Sequence, residues 1–575
     1  MVKSYVLLGL LCVFALGLRL VNIDEHGIGG DEKNSFFVSQ FVAMGGANQR
    51  DVFFKKDDPY FTPAQFWKDK TMADFYDAGA RVDNGSSAAH ALTLHYWTRL
   101  FGVDDGTLRG LSVLFSVLLI PLLFGFVRDV FASTRLALGV AALATIEPLY
   151  VGWSQVVRTY TMTFFFTLLA TYLFWRILRA EAARKRPAGL YVAYGLCAFL
   201  CLMCHYSVFT LFAVHGLLAL FVVRRLRTWV GLALAMLLPA LGMGWWLKFG
   251  GGQYAFRFIE DSKNVYNQMA TLDPHRGYLA LTTLDNALIQ LVPAVANHFL
   301  PANDMFDALS GKRNLLICCL VTLLCLGTYR FVVPLRLRQL IIGGAAGVAF
   351  GLYSVTPLLF SCLSAALLLL AILIQDTIRQ PAERRRLYLS MWLLAGLPLL
   401  FLIVFAYEDG NTFRIQHKYA GYGMAYALVL VALALRALWA FPAWVKYPMA
   451  ALLLCQLAFV GQTIGHIWGD TAPRYLQYAT PRRPNPYRSV AQTIVRQYAV
   501  GDTILYPSYR GDDADYTVSP SEYPILDAQL VNFYLPKSAT YWQRIDRREP
   551  NKVVLKKPNG SEQVLFDFNG KTFRY

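Results

Sequence analysis

The sequence predicts an α-helical multi-pass membrane protein of about thirteen transmembrane helices, carrying an extracytoplasmic α/β domain at its C-terminal end. Three observations lead there. Of 575 residues, 56% are hydrophobic and only 16% are charged, and the mean hydropathy of +0.39 exceeds that of soluble domains. The apolar residues fall into runs near the roughly twenty residues that a bilayer core requires. Lys and Arg gather in alternate loops between these runs, as the positive-inside rule demands. The net charge of +17, from 54 Lys and Arg against 37 Asp and Glu, is therefore topological, and no nucleic-acid partner is implied because no single solvated basic stripe exists.

Taken in order, the spans are residues 5–21, 107–127, 136–151, 161–178, 190–204, 208–223, 229–247, 314–329, 340–355, 357–374, 387–407, 419–438 and 447–464. With the N-terminus cytoplasmic, the inside loops hold Arg128 and Arg135; Arg176, Arg179, Arg184, Lys185 and Arg186; Arg224, Arg225 and Arg227; Arg330, Arg336 and Arg338; Arg379 and Arg384 to Arg386; and Arg436 and Lys446. The first run is flanked by Lys3 but ends in Arg19, Leu20 and Val21, not in a small-residue cleavage site, so it reads as a retained helix. An odd number of spans puts the tail outside. The chain then divides into a transmembrane domain, 1–469, with outer loops 22–106 and 248–313, and a soluble α/β domain, 470–575.

Within the first outer loop, residues 90–101 have apolar and aromatic side chains at helical spacing but cannot span, which suits a helix lying in the interface. In the tail, 487–498 reads as a helix, Gly501-Asp502 as a turn and 503–506 as a strand. Residues 553–555, 563–568 and 572–575 read as strands around Asn559-Gly560 and Asn569-Gly570, which are hairpin signals. All nine cysteines lie in apolar stretches, so no disulfide framework is implied. Cys197, Cys201 and Cys204 share a helical face but lack a fourth ligand, and read as small buried hydrophobes.

Four segments carry residues suited to chemistry. Gly29-Gly30-Asp31-Glu32 places two adjacent carboxylates just outside the first span. Asp31 reads either as a helix N-cap or as a general base whose pKa is raised by partial desolvation, and both can hold together. In Glu147 to Tyr160, Gln155 and Arg158 lie three apart and would share a helical face able to hold a phosphate or sugar hydroxyls; the alternative is an interfacial aromatic belt with a snorkelling Arg. His205 and Tyr206 sit at another outer helix end, where a lone His is commonly structural. Arg414, His417, Lys418 and Tyr419 cluster outside the twelfth span. Cations there defy the inside bias and want an anion, either a lipid-linked phosphate or the nearby Glu408 and Asp409.

These segments, in this order, resemble the GT-C superfamily of glycosyltransferases, in the branch containing protein O-mannosyltransferases and lipid A aminoarabinose transferase (glycosyltransferase family 39 and relatives). The family's Arg near the end of the first helix and the Asp-Glu pair that follows match Arg19 and Asp31-Glu32. Its amphipathic stretch ending Leu-Phe-Gly, with an acidic turn and an Arg, matches Tyr96 to Arg109. The bacterial segments Ser-Pro-Phe and Tyr-Ser-Gln-Glu-Ala-Arg-Met-Tyr match Glu147-Pro148-Leu149 and Trp153 to Tyr160, except that Val156 replaces the Glu. Thr-His-Tyr matches Cys204-His205-Tyr206, the late Arg-Tyr matches Lys418-Tyr419, and Pro486 to Ala491 with Gly501-Asp502 is similar to the start of the family's terminal domain.

The resemblance implies an inverting transferase in the inner membrane. It would take a polyprenyl-phosphate sugar donor and pass the sugar at the outer face to a protein, lipid A or an envelope glycan. Asp31 would be the base; Glu32 and Gln155 would orient the base or the sugar; Arg158, His205 and Lys418, with Arg414 and His417, would stabilise the departing phosphate. Arg19, Tyr160, Tyr206 and Tyr419 complete the implied substrate-binding set. No metal or other cofactor is required by this scheme. The alternatives are a metal-dependent oligosaccharyltransferase-like enzyme, against which Val156 argues, a flippase of lipid-linked saccharides, and a non-catalytic glycolipid binder.

Overall fold

The structure is a computed structural model that describes all residues except 1, 54, 56–57, 83–84, 186, 273–278, 301–311, 333, 353–356, 477–480, 509–524, 547 and 570–575. The expected strand 572–575, Gly570, the end of the ninth span and Arg186 lie outside the described residues. The chain enters on α1 (Val2–Leu20) and then forms a layer of α2 (Gly30–Ser39), α3 (Arg50–Phe53), β1 (Tyr60–Phe61), α4 (Pro63–Phe66), α5 (Met72–Val82) and α6 (Ala88–Phe101). The bundle continues with α7 (Asp105–Phe131), α8 (Thr134–Ile146), α9 (Pro148–Ser154), α10 (Tyr160–Ala182), α11 (Ala188–Cys204), α12 (Phe209–Val222) and α13 (Leu226–Phe249). After α14 (Ala255–Leu272) and α15 (Leu284–Ala296) come α16 (Lys312–Phe331), α17 (Leu335–Leu352), α18 (Pro357–Arg379), α19 (Ala382–Asp409), α20 (Met424–Leu438) and α21 (Ala443–Trp468).

Among the described residues, eight helices are long and apolar enough to cross a membrane, and α8 with α9 forms a bent ninth. Helices α11, α12 and α16 are apolar but shorter. Every expected span falls on one of these helices or on α17, and two depart from a simple crossing. The span at 136–151 bends by 51° at Glu147-Pro148. A residue before Pro is driven out of the α region, and Glu147 is extended, with its side chain accepting from the Leu149 N–H at 3.3 Å. The span at 419–438 becomes helical only at Met424, after two tight turns, His417–Tyr419 and Gly421–Gly423. A Cβ on Gly421 would lie 2.7 Å from the Phe164 ring, so glycine is needed for this close approach.

The tail holds α22 (Pro473–Leu476), α23 (Pro486–Gln497), β2 (Thr503–Pro507), α24 (Leu526–Asn532), β3 (Trp542–Asp546), β4 (Lys552–Lys556) and β5 (Glu562–Asp567). The Asn485 side chain caps α23, accepting from the Tyr487 N–H at 3.0 Å, and Asn559-Gly560 turns β4 into antiparallel β5. The sheet order is β1-β3-β2-β4-β5, with β2 and β3 parallel. β1 therefore brings the segment between α1 and α7 into the sheet of the tail. The shared core is aromatic: Phe36 and Phe37 of α2 and Phe66 of α4 surround Phe533, with ring centroids 4.6, 4.9 and 5.7 Å away.

The expected interface helix is α6, whose Tyr96, Leu100 and Phe101 are exposed. The nine cysteines are free, and Cys197, Cys201 and Cys204 are buried. The second outer segment holds a short apolar helix that the sequence reading missed, α15, which packs its Ala287 and Leu291 against Ala406 and Ile415.

Candidate functional site

Helix α2 starts from Gly29 in extended conformation. The cap is supplied by Glu32, not by Asp31: the Glu32 Oε2 accepts from the Gly29 N–H at 2.8 Å. Successive helical residues are turned by about 100°, so Glu32 points into the protein and is fully buried, whereas Asp31 is half-buried. Glu32 Oε1 accepts from Arg109 Nε at 3.1 Å and from the Val157 N–H at 2.9 Å, and Oε2 accepts from Arg109 Nη2 at 3.3 Å and also from Arg482. Arg482 in turn holds Asp470 through two bonds of 2.9 Å. Arg109 completes its set on the carbonyls of Ile23, His26 and Gly27 at 2.8, 2.6 and 2.9 Å.

Burial alone would raise the Glu32 pKa, but Arg109 and Arg482, with these hydrogen bonds, hold it down at about 2. A carboxylate so stabilised is a poor proton acceptor. Through these bonds Glu32 joins the start of α2 to α7 and to the tail, a placement that suits orienting its neighbour Asp31 rather than taking a proton itself.

The expected shared face of Gln155 and Arg158 does not form, because α9 ends at Ser154 and the chain is non-helical until Tyr160. Gln155 turns toward the end of α1, donating to Val21 O at 2.7 Å. Arg158 turns the other way, its Nη1 donating to Asp31 O and Ser35 Oγ, each at 3.3 Å. Arg19 also departs from the substrate-binding expectation. It is fully buried, donating to Ser116 Oγ at 2.7 Å and to Ala15 O and Thr145 O at 3.0 and 3.1 Å. Its role is to brace the carbonyls released where α8 breaks at the proline.

Tyr160, at the start of α10, and His205, after α11, meet Lys418 and Tyr419 in the turn before α20. The His205 ring centroid lies 5.8 Å from Tyr160 and 5.6 Å from Tyr419. Lys418 Nζ lies 4.9 Å from the Tyr419 centroid and 5.9 Å from those of Tyr160 and Trp153. The Ser207 hydroxyl is 2.8 Å from His205 Nδ1, which also accepts from the Ser207 N–H at 3.3 Å. This leaves the ring proton on Nε2. Burial, with Arg158, Lys418 and Arg414 nearby, lowers the His205 pKa to about 3 and keeps the ring neutral.

Three expected site residues are engaged elsewhere. Tyr206 packs with Trp246, whose indole N–H donates to its hydroxyl at 3.2 Å. Arg414 pairs with Asp409 at 2.5 Å, the simpler of the two anions considered for it. His417 is buried against His298, with ring nitrogens 2.8 Å apart. The structure therefore brings together Asp31, Arg158, Tyr160, His205, Lys418 and Tyr419, with Arg414 at the edge.

Among the described residues, no group of three or more His, Cys, Asp and Glu side chains is placed to hold a metal. Val156 is 1% exposed in the apolar core, and both Glu32 oxygens are bonded to cations. Sequence reasoning missed Arg482, Asp470 and Ser35, and took Arg109 only as part of a motif. One signal was available: Arg109 lies at the outer end of its span, against the inside bias.

No protein-family model and no curated protein matches the chain. Similar solved structures include the oligosaccharyltransferase of Archaeoglobus fulgidus in the apo form, 15% identical over 86% of this chain and 58% of its own length, with a TM-score of 0.44. The chain thus spans little more than half of that protein. ArnT from Cupriavidus metallidurans is 13% identical in the apo state, over 95% of this chain and 87% of its own, with a TM-score of 0.38. Bound to undecaprenyl phosphate it is 14% identical, over 93% and 85%, with a TM-score of 0.37.

Proposed function

We propose that this chain is an integral-membrane glycosyltransferase of the GT-C kind, which moves a sugar from a polyprenyl-phosphate donor to a protein, lipid A or envelope glycan. The reaction takes place at the outer face of the cytoplasmic membrane, where the tail also lies. The observation that carries this reading is the convergence of two buried cations, Arg158 and Lys418, on neutral His205, with the Arg158 guanidinium reaching the residue that bears the Asp31 carboxylate. Concentrated positive potential at a helix end favours an anion such as phosphate, and an adjacent carboxylate can take a proton.

In the proposed step, Asp31 removes the proton of the acceptor hydroxyl or amine as that oxygen or nitrogen attacks the anomeric carbon. The bond from that carbon to the phosphate oxygen breaks, and its electron pair leaves on the phosphate. Arg158, Lys418 and the His205 Nε2–H stabilise the added charge, and attack opposite the leaving group inverts the anomeric centre. Tyr160 and Tyr419 wall the site. Polyprenyl-phosphate binding, read by fluorescence of the protein in nanodiscs, tests this: Lys418→Gln should weaken it about ten- to a hundredfold, the scale of a hydrogen bond to a charged group. The absence of saturable binding to the unaltered protein contradicts the proposal.

A further inference from the structure

Among the described residues, His90 differs from every other histidine. His26, His95, His205, His215, His298, His417 and His466 each have a ring nitrogen within hydrogen-bond distance of a partner. His90 is 1% exposed and neither of its nitrogens has one. A buried polar atom left without a partner is destabilising, so a purely structural position here would favour an apolar side chain. The place is specific. His90 lies on α6, which packs against α2, the bearer of Asp31, and against α11, which ends just before His205. It is within electrostatic reach of Arg158. The Thr161 hydroxyl, three residues beyond Arg158, is also buried without a partner.

We infer that His90 is a ligand-facing specificity residue that binds a hydroxyl group of the donor sugar beside Arg158; this rests on the sugar-transfer reading above. The chemistry selects a hydroxyl over a phosphate. Burial, with Arg158 close by, lowers the imidazole pKa to about 3, and a neutral ring offers one donor and one acceptor. A hydroxyl both accepts and donates, so it can answer either nitrogen. The donor's phosphodiester anion only accepts, and would set its oxygens against the bare nitrogen lone pair. The charge of the donor is thus met by Arg158 and Lys418, and its sugar is read by His90.

The test is transfer from polyprenyl-phosphate sugars, native and singly deoxygenated, by the unaltered protein, His90→Phe and His90→Gln in nanodiscs, together with the thermal midpoint of each. His90→Phe should fold with an unchanged or higher midpoint. Its kcat/KM for the hydroxylated donor should fall about ten- to a hundredfold, as expected when a hydrogen bond to substrate is lost. One deoxy donor should be used equally by the unaltered protein and His90→Phe, and His90→Gln should recover part of the loss. Unchanged kcat/KM for all donors, or an effect confined to the acceptor KM, overturns the inference while sugar transfer stands. Transfer by none of the proteins from any donor means that the functional reading itself has failed.

Discussion

Replacing Glu32 by Gln separates a structural hub from a catalytic acid. The substitution keeps the shape but leaves the buried guanidiniums of Arg109 and Arg482 facing a neutral amide. Breaking a buried ion pair by removing one partner costs about 3–5 kcal/mol. Linkage gives a similar figure: a carboxyl lowered from 4.5 to about 2 contributes about 3 kcal/mol of stability at neutral pH. The pKa is depressed in the folded state, so this contribution is complete above about pH 4.5 and is lost as pH falls toward 2. Limited proteolysis against urea, in nanodiscs at several pH values, reads it out. The tail is tied to α2 through Arg482 and Asp470, and in Glu32→Gln it should become cleavable at lower urea at pH 7. The difference from the unaltered protein should close as pH approaches 2. A Glu32→Gln protein as resistant as the original at pH 7, yet without sugar transfer, would refute the positioning role and restore Glu32 to the chemistry.

Arg19→Leu should destabilise the bundle by about 2–4 kcal/mol, because the carbonyls at the break of α8 lose their donors; a lower thermal midpoint with an unchanged donor KM is the expected result. Val156→Glu should lower the midpoint and the yield of folded protein, since it buries a carboxylate in the apolar core, and it should not confer metal-stimulated transfer. Gly421→Ala should cost about 1–3 kcal/mol by overpacking, because its methyl group would press on the Phe164 ring. This is measured by the same thermal midpoint.

The helices were legible because a bilayer imposes length and apolarity on each crossing, and those are one-dimensional properties. The break at Glu147-Pro148 was present as a proline, but its consequence was not: the carbonyls it frees are met by Arg19, which lies more than a hundred residues earlier. Asp31 and Glu32 give the same signal in sequence, and a single helical step places them differently: Glu32 is fully buried and Asp31 half-buried. Gln155 and Arg158 were misread because helical spacing was assumed across a segment where the helix stops. In the tail, β3 escaped notice because Gln543 occupies its core position, where amide bonds of 2.8 and 3.0 Å to Asn532 replace apolar packing. β1 is two residues long and is defined by its partner in the tail. The convergence of Arg158, His205 and Lys418 depends on three helix ends meeting, which no local pattern encodes.

The central claim is that Asp31 acts as the base in transfer from a polyprenyl-phosphate sugar. The most direct measurement is transfer of labelled sugar from a donor panel by the purified protein in lipid, comparing the unaltered chain with Asp31→Asn, each with and without chelator. The expected result is a loss of about a hundred- to ten-thousandfold in Asp31→Asn, the usual contribution of a positioned general base, with donor binding retained and no effect of chelator. Undiminished transfer by Asp31→Asn contradicts the assignment, and loss of transfer on chelation contradicts the metal-independent mechanism.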